Sequence, residues 1–198
     1  HAEADLLLRG LHRGPHSLLG AHPSKNGATV RVLRPLADRV QLRLADGETV
    51  DLQHDYEGIW SGLVPGDGVP DYRVVTTYDD GVEHVADDPY RFLPTLGEID
   101  IHLIGEGRHE QLWQVLGARV RTYPSELGEV RGTSFAVWAP NAQGVAVVGD
   151  FCGWNPNQYP MRTLGSTGVW EIFIPGLGAG TQYKFAVQTA DGNRIDKA

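Results

Sequence analysis

The segment GDFCGWNPNQYPM, residues 149–161, carries the side chains best suited to binding chemistry. Trp154 stands among Gly153, Asn155 and Pro156, in a predicted turn rather than in a strand pattern. An exposed indole is a flat apolar surface that can stack on the apolar face of a sugar ring, while amide groups can bond its hydroxyls. The same residues are also compatible with a Trp154 that folds back to close one end of a sandwich.

A second group of polar side chains comes from the strand pattern TQYKFAVQ. Tyr183, Phe185 and Val187 alternate and share one face, so Gln182 and Lys184 project from the opposite face. If Tyr183 points into the core, Lys184 lies on the solvent side and is either a ligand contact or an ordinary surface lysine. The candidate ligand-binding residues are Trp154, Asn155, Gln182 and Lys184.

Histidines and nucleophiles give no comparable pattern. His12, His16 and His22 surround a Gly-Pro break without the Cys or carboxylate partners that structural zinc needs. His102 and His109 flank a predicted helix start without H-E-x-x-H spacing. The sequence therefore predicts no metal site, no cofactor and no catalytic residue in this segment.

The other four tryptophans are Trp60, Trp113, Trp138 and Trp170. Three of them fall in strand patterns, and Trp113 falls on the apolar face of a predicted helix with Leu112 and Leu116. Large aromatic side chains at such positions are typical of protein interiors. We therefore predict that all four are buried or half-buried packing residues.

Composition limits the classes of partner. The 198 residues carry a formal charge of −8, which disfavours nucleic acid and anionic membranes as partners. No apolar run approaches the roughly 18 residues that span a bilayer, and the lone Cys152 cannot form an internal disulfide. The sequence predicts a cytoplasmic, turn-rich protein that contacts neither nucleic acid nor membrane.

The elements that must position these residues are mostly strands. Apolar and polar residues alternate from Ala28 and again from Thr133, and Asp-Gly pairs mark hairpin turns between the runs. We predict an all-β fold of two tandem immunoglobulin-like β-sandwiches, joined by a connector with a short helix and preceded by a short N-terminal helix. The predicted units are residues 1–20 (helix and lead-in), 21–100 (first sandwich), 101–130 (connector) and 131–198 (second sandwich, incomplete at its C-terminal end).

The two sandwiches are predicted to be copies of one unit. Trp60 and Trp170 each precede a Pro-Gly pair by five residues, and Tyr72 and Tyr183 match at nearly the same offset. Upstream the offset is smaller by about five residues, so the second copy carries an insertion within residues 149–161. A loop added to a shared scaffold often carries a distinct function.

These segments resemble the N-terminal region of bacterial 1,4-α-glucan (glycogen) branching enzymes. DDPYRFLPTLGEIDIHLIGEGRHEQLWQVLGA is similar to their inter-module connector, and GTSFAVWAPNAQGVAVVGDFCGWNPNQYPM is similar to the start of their family-48 carbohydrate-binding module. GVWEIFIPGLGAGTQYKFAV resembles later strands of that module, and PHSLLGAHP resembles the start of the first module. Together these motifs cover nearly the whole chain.

The resemblance implies a parent glycosyltransferase that cuts an α-1,4 linkage and transfers the freed segment to a 6-hydroxyl, making an α-1,6 branch. It implies retaining double displacement by an Asp nucleophile and a Glu acid–base on a (β/α)₈ barrel C-terminal to Ala198, so this segment alone should be inactive. The implied partners are glycogen or another α-1,4-glucan and that barrel.

Related glycogen-binding modules hold glucan through a loop Trp, a strand Lys and a second Trp after an Asp-Gly turn. The first two map onto Trp154 and Lys184, but Asn193 and Arg194 follow Asp191-Gly192 here, and no Trp does. That departure implies weak glucan binding or a module that mainly braces the barrel. A purely structural module without glucan affinity, or a glycogen-targeting regulatory subunit like those of AMP-activated kinases, remains an alternative.

Overall fold

The structure, a computed structural model, describes residues 1–94, 102–104, 106, 107 and 112–198. Its strands form four antiparallel sheets, which confirms the predicted all-β fold of two sandwiches. Among the described residues, no helix has the length and apolar character needed to cross a membrane.

The first sandwich follows a short N-terminal helix. Its elements are α1 (Ala2–Leu8), β1 (Gly20–Ser24), β2 (Gly27–Leu33), β3 (Arg39–Leu44), β4 (Thr49–Asp51), β5 (Gln53–Tyr56), β6 (Ile59–Pro65), β7 (Tyr72–Thr77) and β8 (Glu83–Asp87). One sheet has the order β1-β2-β6-β5 and the other β4-β3-β7-β8. Inward-facing residues of both sheets, among them Val30, Leu42 and Trp60, form the core.

The second sandwich repeats this plan. Its strands are β9 (Gly117–Tyr123), β10 (Val130–Trp138), β11 (Gly144–Gly149), β12 (Arg162–Thr163), β13 (Val169–Pro175), β14 (Tyr183–Gln188) and β15 (Arg194–Lys197). The sheets have the orders β12-β13-β10-β9 and β11-β14-β15. Phe135, Val147 and Trp170 are fully buried between them. β9 lies within the range expected for the connector, and it pairs with β10 along its whole length.

Two equivalent hydrogen bonds show how closely the modules correspond. Trp60 Nε1 donates to the Arg34 carbonyl at 3.2 Å, and Trp170 Nε1 donates to the Ala139 carbonyl at 3.0 Å. Each indole thereby closes the same end of its sandwich. The prediction that these two tryptophans pack in the cores is confirmed, with 9% and 0% of their surfaces exposed.

The two modules differ mainly at one edge. In the first module β4 pairs with β3 after a turn at residues 45–48, with Gln41 opposite Asp51. In the second module residues 150–158 replace that turn, and Pro160 then pairs with Ala146. The insertion of about five residues expected from the sequence therefore lies between two strands that the modules otherwise share.

The modules meet along a common seam. Tyr90 of the first module donates its hydroxyl to the Pro160 carbonyl at 2.9 Å, and Arg162 donates to the Phe92 carbonyl at 3.1 Å. The Phe92 ring packs against Phe173 with centroids 4.8 Å apart. These contacts lie on residues far apart in sequence, so they fix one module against the other.

The segment after α1 also belongs to this seam. Ala4 and Leu7 of α1 are buried, and the helix ends at Leu8, well before the Gly14-Pro15 pair. The chain then runs over the second module, where Thr163 N donates to the Arg13 carbonyl at 2.8 Å.

Candidate functional site

The inserted loop holds Trp154 in a defined position. Gly153 and Trp154 both have left-handed backbone, with φ of 57° and 59°. This conformation is unfavourable for a residue with a Cβ, by about 1–2 kcal/mol. Trp154 N donates to the Gly149 carbonyl at 2.9 Å, and its Nε1 donates to the Asp150 carboxylate at 2.8 Å. The residue is therefore held by one hydrogen bond from its backbone and one from its indole, while 38% of its surface stays exposed.

A small apolar floor supports the loop. Cys152 packs with Val148 of β11 and Ala186 of β14, and all three side chains are buried. Phe151 and Tyr159, half-buried with ring centroids 5.7 Å apart, cover the same cluster. Because this floor lies on the outer face of the sheet β11-β14-β15, the loop is held flat against that face. Cys152 contributes as a packing residue.

Lys184 lies on the same sheet face as the loop. It is directly opposite Val148 in the β11–β14 register, and opposite residues in an antiparallel pair share a face. Its side chain is exposed, whereas its neighbour Phe185 points into the core. Trp154 and Lys184 are thus two exposed side chains at one corner of one sheet.

The two amide residues expected at the site are also exposed. Gln182 precedes β14, and its carbonyl lies across from Gly149, where a Cβ would come within 2.6 Å of it. Asn155 Oδ1 accepts the Asn157 amide N–H at 3.0 Å, so its oxygen helps to shape the loop and its NH₂ group is the part left for a ligand. The structure therefore brings the four sequence-predicted residues to one corner.

Two predictions about tryptophans are wrong. Trp138 is 57% exposed and Trp113 is 70% exposed. Trp138 ends β10 on the outer face of the sheet β12-β13-β10-β9, where Val115 and Leu116 cover Ala136 but leave the last residue of the strand open. Trp113 belongs to a single 3₁₀ turn, Leu112–Gln114, which provides no apolar helix face to bury.

No group of three His, Cys, Asp or Glu side chains converges to hold a metal within the part of the chain that the structure describes. Both ring nitrogens of His16 are buried, and its ring packs edge-on against Tyr90 with centroids 4.7 Å apart. Burial, followed by the charge of Arg162, lowers the pKa of His16 to about 2. Its role is structural, in the seam between the modules. His109 lies outside the described residues.

Known proteins match both modules. Residues 1–90 match the family model for the alpha-1,4-glucan branching enzyme GlgB N-terminal domain, and residues 115–198 match carbohydrate-binding module 48. The chain is 60% identical to 1,4-alpha-glucan branching enzyme GlgB of Thermobifida fusca over 90% of its length, and 56% identical to that of Rhodococcus jostii over 100%. The chain belongs to the branching enzyme family. It spans 24% and 27% of those two relatives, so it corresponds to their N-terminal quarter.

Within this branching enzyme segment, the sheet face that carries Lys184 has a counterpart in the first module. The repeat offset of 111 places Arg73 where Lys184 stands, and Asp71 where Gln182 stands. Arg73 donates to the Leu127 carbonyl at 3.3 Å, and Asp71 accepts the Glu126 amide N–H at 2.8 Å. In the first module this corner is therefore covered by the chain itself. The repeat offset in the sequence could have indicated that Asp71 and Arg73 are equivalent to Gln182 and Lys184. It could not have indicated which segment of the chain covers them.

Proposed function

We propose that this chain is the non-catalytic N-terminal region of a cytoplasmic enzyme that introduces α-1,6 branches into α-1,4-glucan, and that its second module binds glucan. The contacts are stacking on Trp154 and hydrogen bonds from Lys184, Asn155 and Gln182. The observation that carries the proposal is a partly exposed tryptophan, held by one hydrogen bond from its indole and one from its backbone, on the same sheet face as an exposed lysine. The catalytic chemistry belongs to a barrel elsewhere in the parent protein.

The chemistry of this corner suits a neutral polyol. Trp154 offers an apolar plate, Lys184 offers ammonium donors, and the two amides offer both donors and acceptors. Asp150, the acidic side chain that touches the indole, is already the acceptor for Trp154 Nε1 at 2.8 Å. A sugar hydroxyl can pair with such groups without the charge match that an anion or a cation would need.

The exposed tryptophans of the other sheet favour a second role. Trp138 and Trp113 lie on or beside the outer face of the sheet β12-β13-β10-β9, away from the candidate glucan face. Exposed aromatic residues of this size are enriched at protein interfaces. We propose that this side braces the rest of a longer parent protein, as the length of the relatives suggests.

Native gel electrophoresis with and without glycogen tests the glucan proposal. We expect glycogen to retard the wild-type chain, Trp154→Ala to abolish most of that retardation, and Lys184→Ala to weaken it. Trp138→Ala is the matched control because it removes a tryptophan that is even more exposed, 57% against 38%, from the other sheet. This variant should migrate as wild type does. Equal mobility of the wild-type chain with and without glycogen would refute the glucan proposal, and only the proposed bracing role would stand.

A further inference from the structure

We infer that the glucan-binding surface continues beyond Trp154 and Lys184 to a second contact, built jointly by both modules from Asn157, Gln188 and the backbone at Gly10. This inference rests on the proposed glucan binding and extends it to a subsite for longer chains. The second contact lies at the far end of β14.

The outer face of β14 sets the direction of this surface. Lys184, Ala186 and Gln188 alternate along the strand, so all three point to the same face. Four residues of strand span about 13 Å. The loop floor covers Ala186 in the middle, while Lys184 and Gln188 stand at the two ends. A ligand that extends from Trp154 along this strand therefore reaches Gln188.

The N-terminal segment of the first module meets β14 at that end. Gln188 is opposite Gly144 in the β11–β14 register. The Gly10 carbonyl lies directly on Gly144, so closely that a Cβ there would overlap it. A Cβ placed on Gly10 would lie 3.5 Å from Asn157 Oδ1 and 3.9 Å from Gln188 Nε2. One backbone position of the first module thus borders two side-chain amides of the second.

Those two amides have free hydrogen-bonding capacity. Among the described residues, neither the Asn157 nor the Gln188 side chain has a hydrogen-bond partner, and neither carries a buried unsatisfied atom. By contrast, Asn193 Nδ2 donates to Asp191 at 2.8 Å and Asn155 Oδ1 accepts from a backbone N–H. A pair of adjacent amides offers two NH₂ groups, with four N–H donors in all, and two carbonyl oxygens that accept, which suits neighbouring sugar hydroxyls.

The two charged side chains of β15 beside this contact are paired with each other. Arg194 lies opposite Gln188 on β15, and it donates to Asp196 at 2.7 and 3.1 Å. The two opposite charges lie on the same face and offset one another. The notch of Asn157, Gln188 and Gly10 therefore presents polar, uncharged groups to a ligand, as a neutral glucan requires. It stands near the Asp191-Gly192 turn, which no Trp follows.

The length of the glucan ligand distinguishes this contact from the one at Trp154 by experiment. We expect Gln188→Ala and Asn157→Ala each to weaken maltoheptaose binding about three- to tenfold, the loss of one or two hydrogen bonds. Maltotriose binding should change by less than about twofold, because a short ligand stacked on Trp154 does not reach β14's far end. Isothermal titration calorimetry with the 198-residue chain measures the binding affinity for both sugars.

Gln53→Ala and Asn26→Ala are the matched controls, because both remove exposed amides from the first module. Gln53 begins β5, and Asn26 lies in the turn between β1 and β2. In NMR spectra, maltoheptaose should shift the Gly10 amide signal and maltotriose should not, a result that a change of fold in the variants cannot mimic. Suppose that Trp154→Ala abolishes the binding of both sugars while the Gln188 and Asn157 variants bind them as the controls do. The second contact is then refuted, and the proposed glucan binding at Trp154 stands. If the wild-type chain binds neither sugar, the proposed glucan binding fails with it.

Discussion

Protonation of His16 should make the folded chain less stable in mild acid. Neither ring nitrogen has a hydrogen-bond partner among the described residues, and the ring lies against Tyr90 in the seam between modules. A protonated ring there would lose its hydration and face the Arg162 guanidinium. Burial is the larger of these two causes and holds the pKa of His16 at about 2, against 6.5 for an ordinary histidine.

The sign follows from which state binds the proton. The folded-state pKa is lowered, so above pH 6.5 neither state is protonated and the free energy of unfolding is at its full value. As the pH falls from 6.5 towards 2, only the unfolded chain binds the proton, and stability falls by about 1.4 kcal/mol per pH unit. Between pH 7.5 and pH 4.5 the loss from this one group is about 2.7 kcal/mol.

Urea unfolding followed by tryptophan fluorescence at pH 7.5, 6.5, 5.5 and 4.5 measures this loss. His16→Phe keeps a ring against Tyr90 but cannot titrate, so its stability should fall less than that of the wild type by about 2.7 kcal/mol at pH 4.5. His84→Phe is the matched control, because His84 packs edge-on against Tyr78 at 5.7 Å but is exposed. Parallel pH curves for His16→Phe and wild type would refute the reasoning.

Asp88 changes the free energy of unfolding with pH in the opposite direction, so its effect must be distinguished from that of His16. Burial raises the pKa of this carboxyl, so its contribution to stability is present at low pH and is lost as the pH rises through that raised value. Both the wild type and the His16 variant contain Asp88. The difference between their curves therefore reports His16 alone.

Two further predictions concern buried polar contacts. Trp170→Phe should lower the free energy of unfolding by about 2–4 kcal/mol through lost packing and a lost hydrogen bond. Trp60→Phe should cost less because Trp60 is slightly exposed, and equal costs by urea unfolding would contradict this. Tyr72→Phe removes the hydroxyl that donates to Asp88 at 2.6 Å. It should cost about 1–3 kcal/mol. Because burial raises the pKa of Asp88, this cost should shrink as the pH falls and the carboxyl takes up a proton, and a pH-independent cost would contradict the prediction.

The sequence by itself determined the architecture and indicated where the candidate site lies. Alternation of apolar residues indicated the strands, because burial of one sheet face imposes a period of two. The offset between Trp60 and Trp170 indicated the duplication, and its change upstream indicated the inserted loop that carries Trp154. Those signals are local or periodic, so they can be recognised in the amino-acid sequence without knowledge of the tertiary structure.

Only the tertiary structure decided which sheet faces are covered. Trp138 and Trp170 lie in similar strand patterns, yet Trp170 faces the core between the sheets and is buried, whereas Trp138 is on the outer face. On that outer face, exposure depends on which segments arrive from elsewhere in the chain, and none covers Trp138 among the described residues. The same holds for Arg73, which is covered at the position equivalent to Lys184. The contact of Gly10 with Gly144 joins residues 134 positions apart in sequence. No periodic pattern in the sequence encodes this contact, because it results from the packing of the two modules against each other.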